Sequence, residues 1–148
     1  MSAGETDLRR GMAVLDQLRE QIEAFAQQQE IVRISLEEHL RARETITRYR
    51  EAGKGAEVLV PVGANSFLVG QSKDTDRAFV SIGSDLLVFD DIPKQIERLD
   101  ARIKSITEAA NAIGQRLGEM QRRAENQGAA VQDLYDRLQA KGAPGERN

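Results

Sequence analysis

From Ile92 onward, steps of alternately four and three residues land on Ile96, Leu99, Ile103, Ile106, Ala110, Ile113, Leu117, Met120, Ala124, Gln127, Val131, Leu134 and Leu138, and only Gln127 is polar. A straight helix of 3.6 residues per turn would rotate such a seam away from its partner. An apolar repeat averaging 3.5 residues therefore imposes a left-handed supercoil. Residues 92–141 thus predict one coiled-coil helix. Asp91 can cap its start, with Pro93 in the first turn where a missing N–H costs nothing. Gly142 and Pro144 predict its end, leaving 142–148 as a flexible tail.

The first 55 residues repeat the design less strictly. Their seam runs through Leu8, Gly11, Leu15, Leu18, Ile22, Phe25, Gln29, Val32, Leu36, His39, Arg43, Ile46 and Arg50. Thr6 or Asp7 is the expected cap, and Gly53 and Gly55 close the helix. The two arms are of similar length, so folded back antiparallel they match end to end. Ile46 then lies near Ile96, Val32 near Ala110 and Ile113, Phe25 near Leu117 and Met120, and Leu8 near Leu134 and Leu138. Both termini fall at one far end.

Between the arms, in residues 56–91, the period changes from 3.5 to 2, which is strand chemistry. Val58, Val60 and Val62 form one face, Gly63-Ala64-Asn65 turns, and Phe67 and Val69 return. After the loop from Ser72 to Asp76, Ala78, Val80 and Ile82 lead through Gly83-Ser84-Asp85 into Leu86, Leu87, Val88 and Phe89. Two hairpins are predicted. Pro61 has no N–H for a ladder and belongs at an edge, a bulge or a strand end. The fold class is α+β, mainly α: a long antiparallel two-helix coiled coil with two β-hairpins inserted between the helices.

Four short strands with apolar residues on both faces cannot bury themselves, and two helices that meet only at a seam cannot cover them. Exposed edges of that kind aggregate or are closed by assembly, and a barrel built from several chains removes them. An obligate oligomer joined through the hairpins follows. Composition agrees: aromatics are 4% and charged residues 30% of 148, which favours an elongated molecule over a ring-filled globule.

The same composition excludes several functions. The net charge is −3 and the sixteen arginines are interspersed with acids, so neither nucleic acid nor an anionic membrane is an expected partner. No run of eighteen apolar residues occurs, MSAGETDLRR does not read as a secretory leader, and cysteine is absent, so cytoplasm is the expected location by default. His39 stands alone on a seam, where packing or register is its expected role. Asp74-Thr75-Asp76 lacks the glycine and glutamate of a calcium loop, and Gly53-Lys54-Gly55 lacks the phosphate-loop spacing. Glu37-Glu38 and Asp90-Asp91 read as a solvated face and a helix cap. No cofactor, metal or catalytic set is expected, and an enzyme is the least favoured class.

The helix, double-hairpin, helix order, with VLVPVGANSF at 58–67 and VSIG at 80–83, closely resembles the prefoldin family over nearly the whole chain. Two hairpins rather than one resemble the alpha class of subunit, in its archaeal form. The resemblance implies a hexamer of two alpha and four beta subunits, with the hairpins in a double barrel. It also implies an ATP-independent holdase that captures unfolded proteins at the coiled-coil tips and delivers them to a group II chaperonin. The barrel role falls on Val58, Val60, Val62, Phe67, Val69, Val80, Ile82, Leu86 and Val88.

Position alone assigns the tip. The antiparallel register gathers Leu8, Met12, Val14, Leu15 and Leu18 with Val131, Leu134, Tyr135 and Leu138. Of these, Met12, Val14 and Tyr135 lie off the strict seam, where apolar groups face water or a client. The seam positions serve equally well to complete the helix pair. The rival reading of the whole chain is a coiled-coil scaffold or tether joining folded partners.

Overall fold

The computed structural model describes residues 2–142. Helix α1 spans Ala3–Ala52 and α2 spans Ile92–Gly142; between them lie β1 (Glu57–Gly63), β2 (Ser66–Gln71), β3 (Arg77–Gly83) and β4 (Leu86–Asp91). The chain divides into two compact units. A helix-pair unit takes the described residues up to Val32 with those from Ala109 onward, and a hairpin unit takes Arg33–Glu108. The predicted tail lies outside the described residues, apart from Gly142, which is the last residue of α2.

The start of α1 corrects the sequence reading. Ser2, rather than Thr6 or Asp7, is the cap: its Oγ accepts from the Glu5 N–H at 3.2 Å, and its own N–H donates to Glu5 Oε2 at 3.3 Å. This reciprocal pair satisfies two otherwise orphaned donors. Thr6 lies inside the first turn, its hydroxyl donating to the Ser2 carbonyl.

In the helix-pair unit α1 and α2 run antiparallel in the expected register. Gly4 lies against Leu138, Gly11 against Val131 and Gln127, and Gly114 near Gln29. The Arg116 guanidinium stands 6.0 Å from the centre of the Phe25 ring, at the level where Leu117 is expected to meet it. Leu8, Leu18, Ile22, Phe25 and Val32 on α1 are half-buried, as are Ala110, Ile113, Leu117, Met120, Ala124, Val131, Leu134 and Leu138 on α2; Leu15 is buried. Gln29 is exposed, with its side-chain amide near Gly114 of α2.

In the hairpin unit, Arg43 holds Asp100 across the two helices through its Nε, and Nη2 donates to Oδ2 at 3.3 Å. The weak apolarity of the seam at Arg43 therefore reflects an ion pair built there. Arg50 is exposed and Tyr49 takes the inward place, its hydroxyl donating to the Asp74 carbonyl at 2.6 Å. His39 is half-buried, and its Nδ1–H donates to the Ser35 carbonyl one turn back at 2.6 Å, which fixes the ring on its own helix.

A small junction joins helices to hairpins. Ile92 is 0% exposed, and its N–H donates to the Asp76 carbonyl at 2.8 Å. Gln95 is buried beside it and donates through Nε2 to the Ala78 carbonyl at 2.9 Å. At the other helix end Gly53 leaves α1 at φ +77°, a conformation that suits glycine. There Ser72 is buried, its hydroxyl donating to the Gly53 carbonyl at 2.6 Å and accepting from the Ala56 N–H at 3.0 Å.

Candidate functional site

Each hairpin is a separate two-stranded antiparallel sheet, β1 with β2 and β3 with β4. They share one design. Gly63-Ala64-Asn65 and Gly83-Ser84-Asp85 both turn with three successive positive φ angles, and both first strands slip register just before the turn, leaving Val62 and Ile82 as the extra residues. A two-residue loop with both φ angles positive has the twist that matches paired strands. Pro61 sits beside the first bulge on a strand with a free edge, within the range of places expected for it.

Directly opposed residues of an antiparallel pair share a face. In the first hairpin Val58 and Val60 stand opposite Gly70 and Leu68, whereas Phe67 and Val69 stand opposite Pro61 and Leu59 on the other face. In the second, Val80 faces Val88, while Phe79 and Phe89 are opposed on the reverse side with ring centres 4.8 Å apart. The Arg77 guanidinium lies 4.5 Å from the centre of the Phe89 ring and donates to the Phe89 carbonyl at 3.0 Å. This favourable cation–ring contact screens one side of that ring.

The predicted hairpin residues are therefore divided between two faces, and both faces are open. Val60, Val62, Phe67, Val69, Ile82, Leu86 and Val88 are exposed, while Val58 and Val80 are half-buried. Leu59, Leu68, Leu87 and Phe89, within the hairpin ranges 58–69 and 80–89 to which the resemblance assigns the barrel role, are exposed as well, and Phe79, just outside those ranges, is 70% exposed. Extending the second range by one residue would have included Phe79. An isolated two-stranded ribbon that shows large side chains on both sides is marginal in water.

The second candidate region is the helix ends within the helix-pair unit. Leu8, Leu18, Val131, Leu134 and Leu138 line the seam half-buried, and Leu15 is only 8% exposed. Met12, Val14 and Tyr135 point outward, at 50%, 45% and 47% exposure. Met12 and Val14 are two residues apart, so they occupy different flanks of α1 rather than one patch.

The acidic candidates are engaged elsewhere. Asp74 Oδ1 accepts from the N–H groups of Asp76 and Arg77 at 2.9 and 3.2 Å, which makes a tight turn of the segment. Glu37 pairs with Arg33 at 2.6 Å and Asp90 with Arg98 at 3.1 Å. Among the described residues no group of three or more His, Asp or Glu is placed to hold a metal, and no helix is long and apolar enough to cross a membrane.

A family model described as prefoldin subunit matches residues 18–137. The chain belongs to the prefoldin family. It is 31% identical over 121 residues to the prefoldin subunit alpha of Pyrococcus horikoshii, a match covering 81% of this chain and 82% of that one. With the prefoldin subunit alpha of Methanosarcina acetivorans it shares 29% over 138 residues, covering 89% and 97%. Among solved structures, filamentous PFD from Methanocaldococcus jannaschii aligns at a TM-score of 0.49 and 21% identity, over 87% of this chain and 98% of that one. Prefoldin subunits are chaperone components, a class without enzymatic chemistry.

Proposed function

We propose that this prefoldin chain is the alpha-type subunit of a cytoplasmic, ATP-independent holdase, in which the hairpins assemble with beta subunits into an inter-subunit barrel. The helix ends of the assembly capture unfolded proteins and pass them to a group II chaperonin. The observation that carries the reading is the state of the hairpins. Both are two-stranded, both show apolar side chains on both faces, and the strands of each keep a free edge. Burying one such Leu- or Phe-sized side chain contributes about 1.5–3 kcal/mol, so a surface of this size favours closure by further strands. Alpha subunits among the relatives support the choice of class.

For capture, the supporting feature is the outward placement of Met12, Val14 and Tyr135 near the free ends of the helices. A thioether side chain repacks at little cost and suits clients of varied shape. One end holds weakly, because ordering costs offset much of the burial. Several ends acting on one client raise affinity by about 10²–10⁴ through effective concentration. Weak contacts in number also allow stepwise transfer to a competing surface without nucleotide.

The test is light scattering of a chemically denatured client diluted into the complex co-assembled with beta subunits. Suppression of aggregation is expected, and replacing Met12, Val14 and Tyr135 together by Ser should weaken it while the complex persists. Unchanged suppression by that variant would remove these residues from the site. A complex that ignores denatured clients and binds one folded partner would be a scaffold.

A further inference from the structure

Gln127 is the one polar residue on the apolar repeat of α2, and it is half-buried. Its Nε2 donates to the main-chain carbonyl of Gly11 in α1 at 2.9 Å. A helix carbonyl has a second lone pair for such a bond, but reaching it requires the helices to lie close. Gly11 provides that approach. A Cβ at this position would lie 3.1 Å from Val131 Cγ2 and 3.4 Å from Gln127 Nε2. One heptad earlier the same applies to Gly4, where a Cβ would fall 2.9 Å from Leu138 Cδ2. Glycine inside a helix is less favourable than alanine, so two on one face at heptad spacing need a compensating close contact.

We infer that Gln127 is a positioning residue for the helix ends: its bond to Gly11 clasps α1 to α2, which keeps Leu15 covered and leaves Met12, Val14 and Tyr135 as the outward apolar groups. A polar residue in an apolar seam lowers stability but selects one arrangement. An alternative arrangement without the bond leaves the amide and the carbonyl to water and opens the seam. The consequence for clients rests on the holdase reading above; the clasp itself does not.

The chain has no cysteine, so the pair Ala13→Cys and Ala130→Cys, both at exposed positions of the helix-pair unit, takes spin labels cleanly. Distances between the labels are measured in the assembled complex for three backgrounds. The unsubstituted background should give one narrow distance peak. In Gln127→Glu at neutral pH the carboxylate has no donor and faces a carbonyl oxygen, and the fraction of pairs outside that peak should rise roughly tenfold. Acidification below the ordinary glutamate range returns a donor and should narrow the peak again, a rescue that a volume effect would not show. Gly11→Ala should broaden the peak at every pH. An unchanged distribution in Gln127→Glu at neutral pH, or equal broadening at both pH values, overturns the clasp. If the distances respond as described but the unsubstituted complex fails to suppress client aggregation, the clasp stands and the client reading falls.

Discussion

Ser72 shows how much one side chain can hold in a chain with so small an interior. Its hydroxyl serves the Gly53 carbonyl and the Ala56 N–H, and its backbone N–H donates to the Ala56 carbonyl at 2.9 Å. Ser72→Ala keeps the size and leaves the Gly53 carbonyl and the Ala56 N–H with only their long mutual bond of 3.4 Å. A loss of about 1–3 kcal/mol is expected, measured by urea unfolding of the assembled protein. Arg43 and Asp100 act differently because both are open to solvent. The hydrogen bond and charge of Arg43 lower the Asp100 pKa below the usual aspartate value. The folded value lies below the unfolded one, so the pair's contribution is complete above the unfolded pKa and is lost as pH falls through the folded pKa. Asp100→Asn should thus lower the melting temperature slightly at neutral pH, and the difference from wild type should shrink as pH falls below the usual aspartate range. Neither role is legible from sequence. Ser72 reads as a loop residue and Arg43 as a flaw in the seam, since each acts on a group distant along the chain.

At the scale of elements, the turns carry a sharper test than the strands. Asn65 and Asp85 hold φ angles of 57° and 59°, and these two residue types tolerate that region where a branched side chain does not. Replacing either by Val should cost its hairpin about 1–2 kcal/mol, and the double variant should lose assembly. Native mass spectra of co-expressed subunits would show this as dissociated chains while circular dichroism still reports helix. The helices and hairpins themselves are legible because 3.5- and 2-residue periods leave a trace at every turn of the pattern. Their ends are less so. The Ser2–Glu5 box escaped a reading that sought the cap just ahead of the apolar repeat, and the division of Val58 and Phe67 between opposite faces depends on strand register. The Gln127–Gly11 bond appears in the repeat only as an interruption.

At the scale of the whole molecule, the described residues bury little. Among them Leu15 and Ile92 are the buried apolar residues, while both hairpins display large aliphatic and aromatic groups to water. Helix propensity and seam packing can sustain the arms, but among the described residues of the hairpin unit nothing covers those ribbons. This deficit was visible in the pattern of residues 56–91, whereas the number and identity of the chains that fill it were implied only by resemblance. Native mass spectrometry of this chain, alone and co-expressed with a beta-type prefoldin subunit, addresses the point directly. A hexamer holding two copies of this chain and four of its partner, with no stable lone monomer, is the expected result. A soluble monomer that resists unfolding by itself and takes up no partner would contradict it.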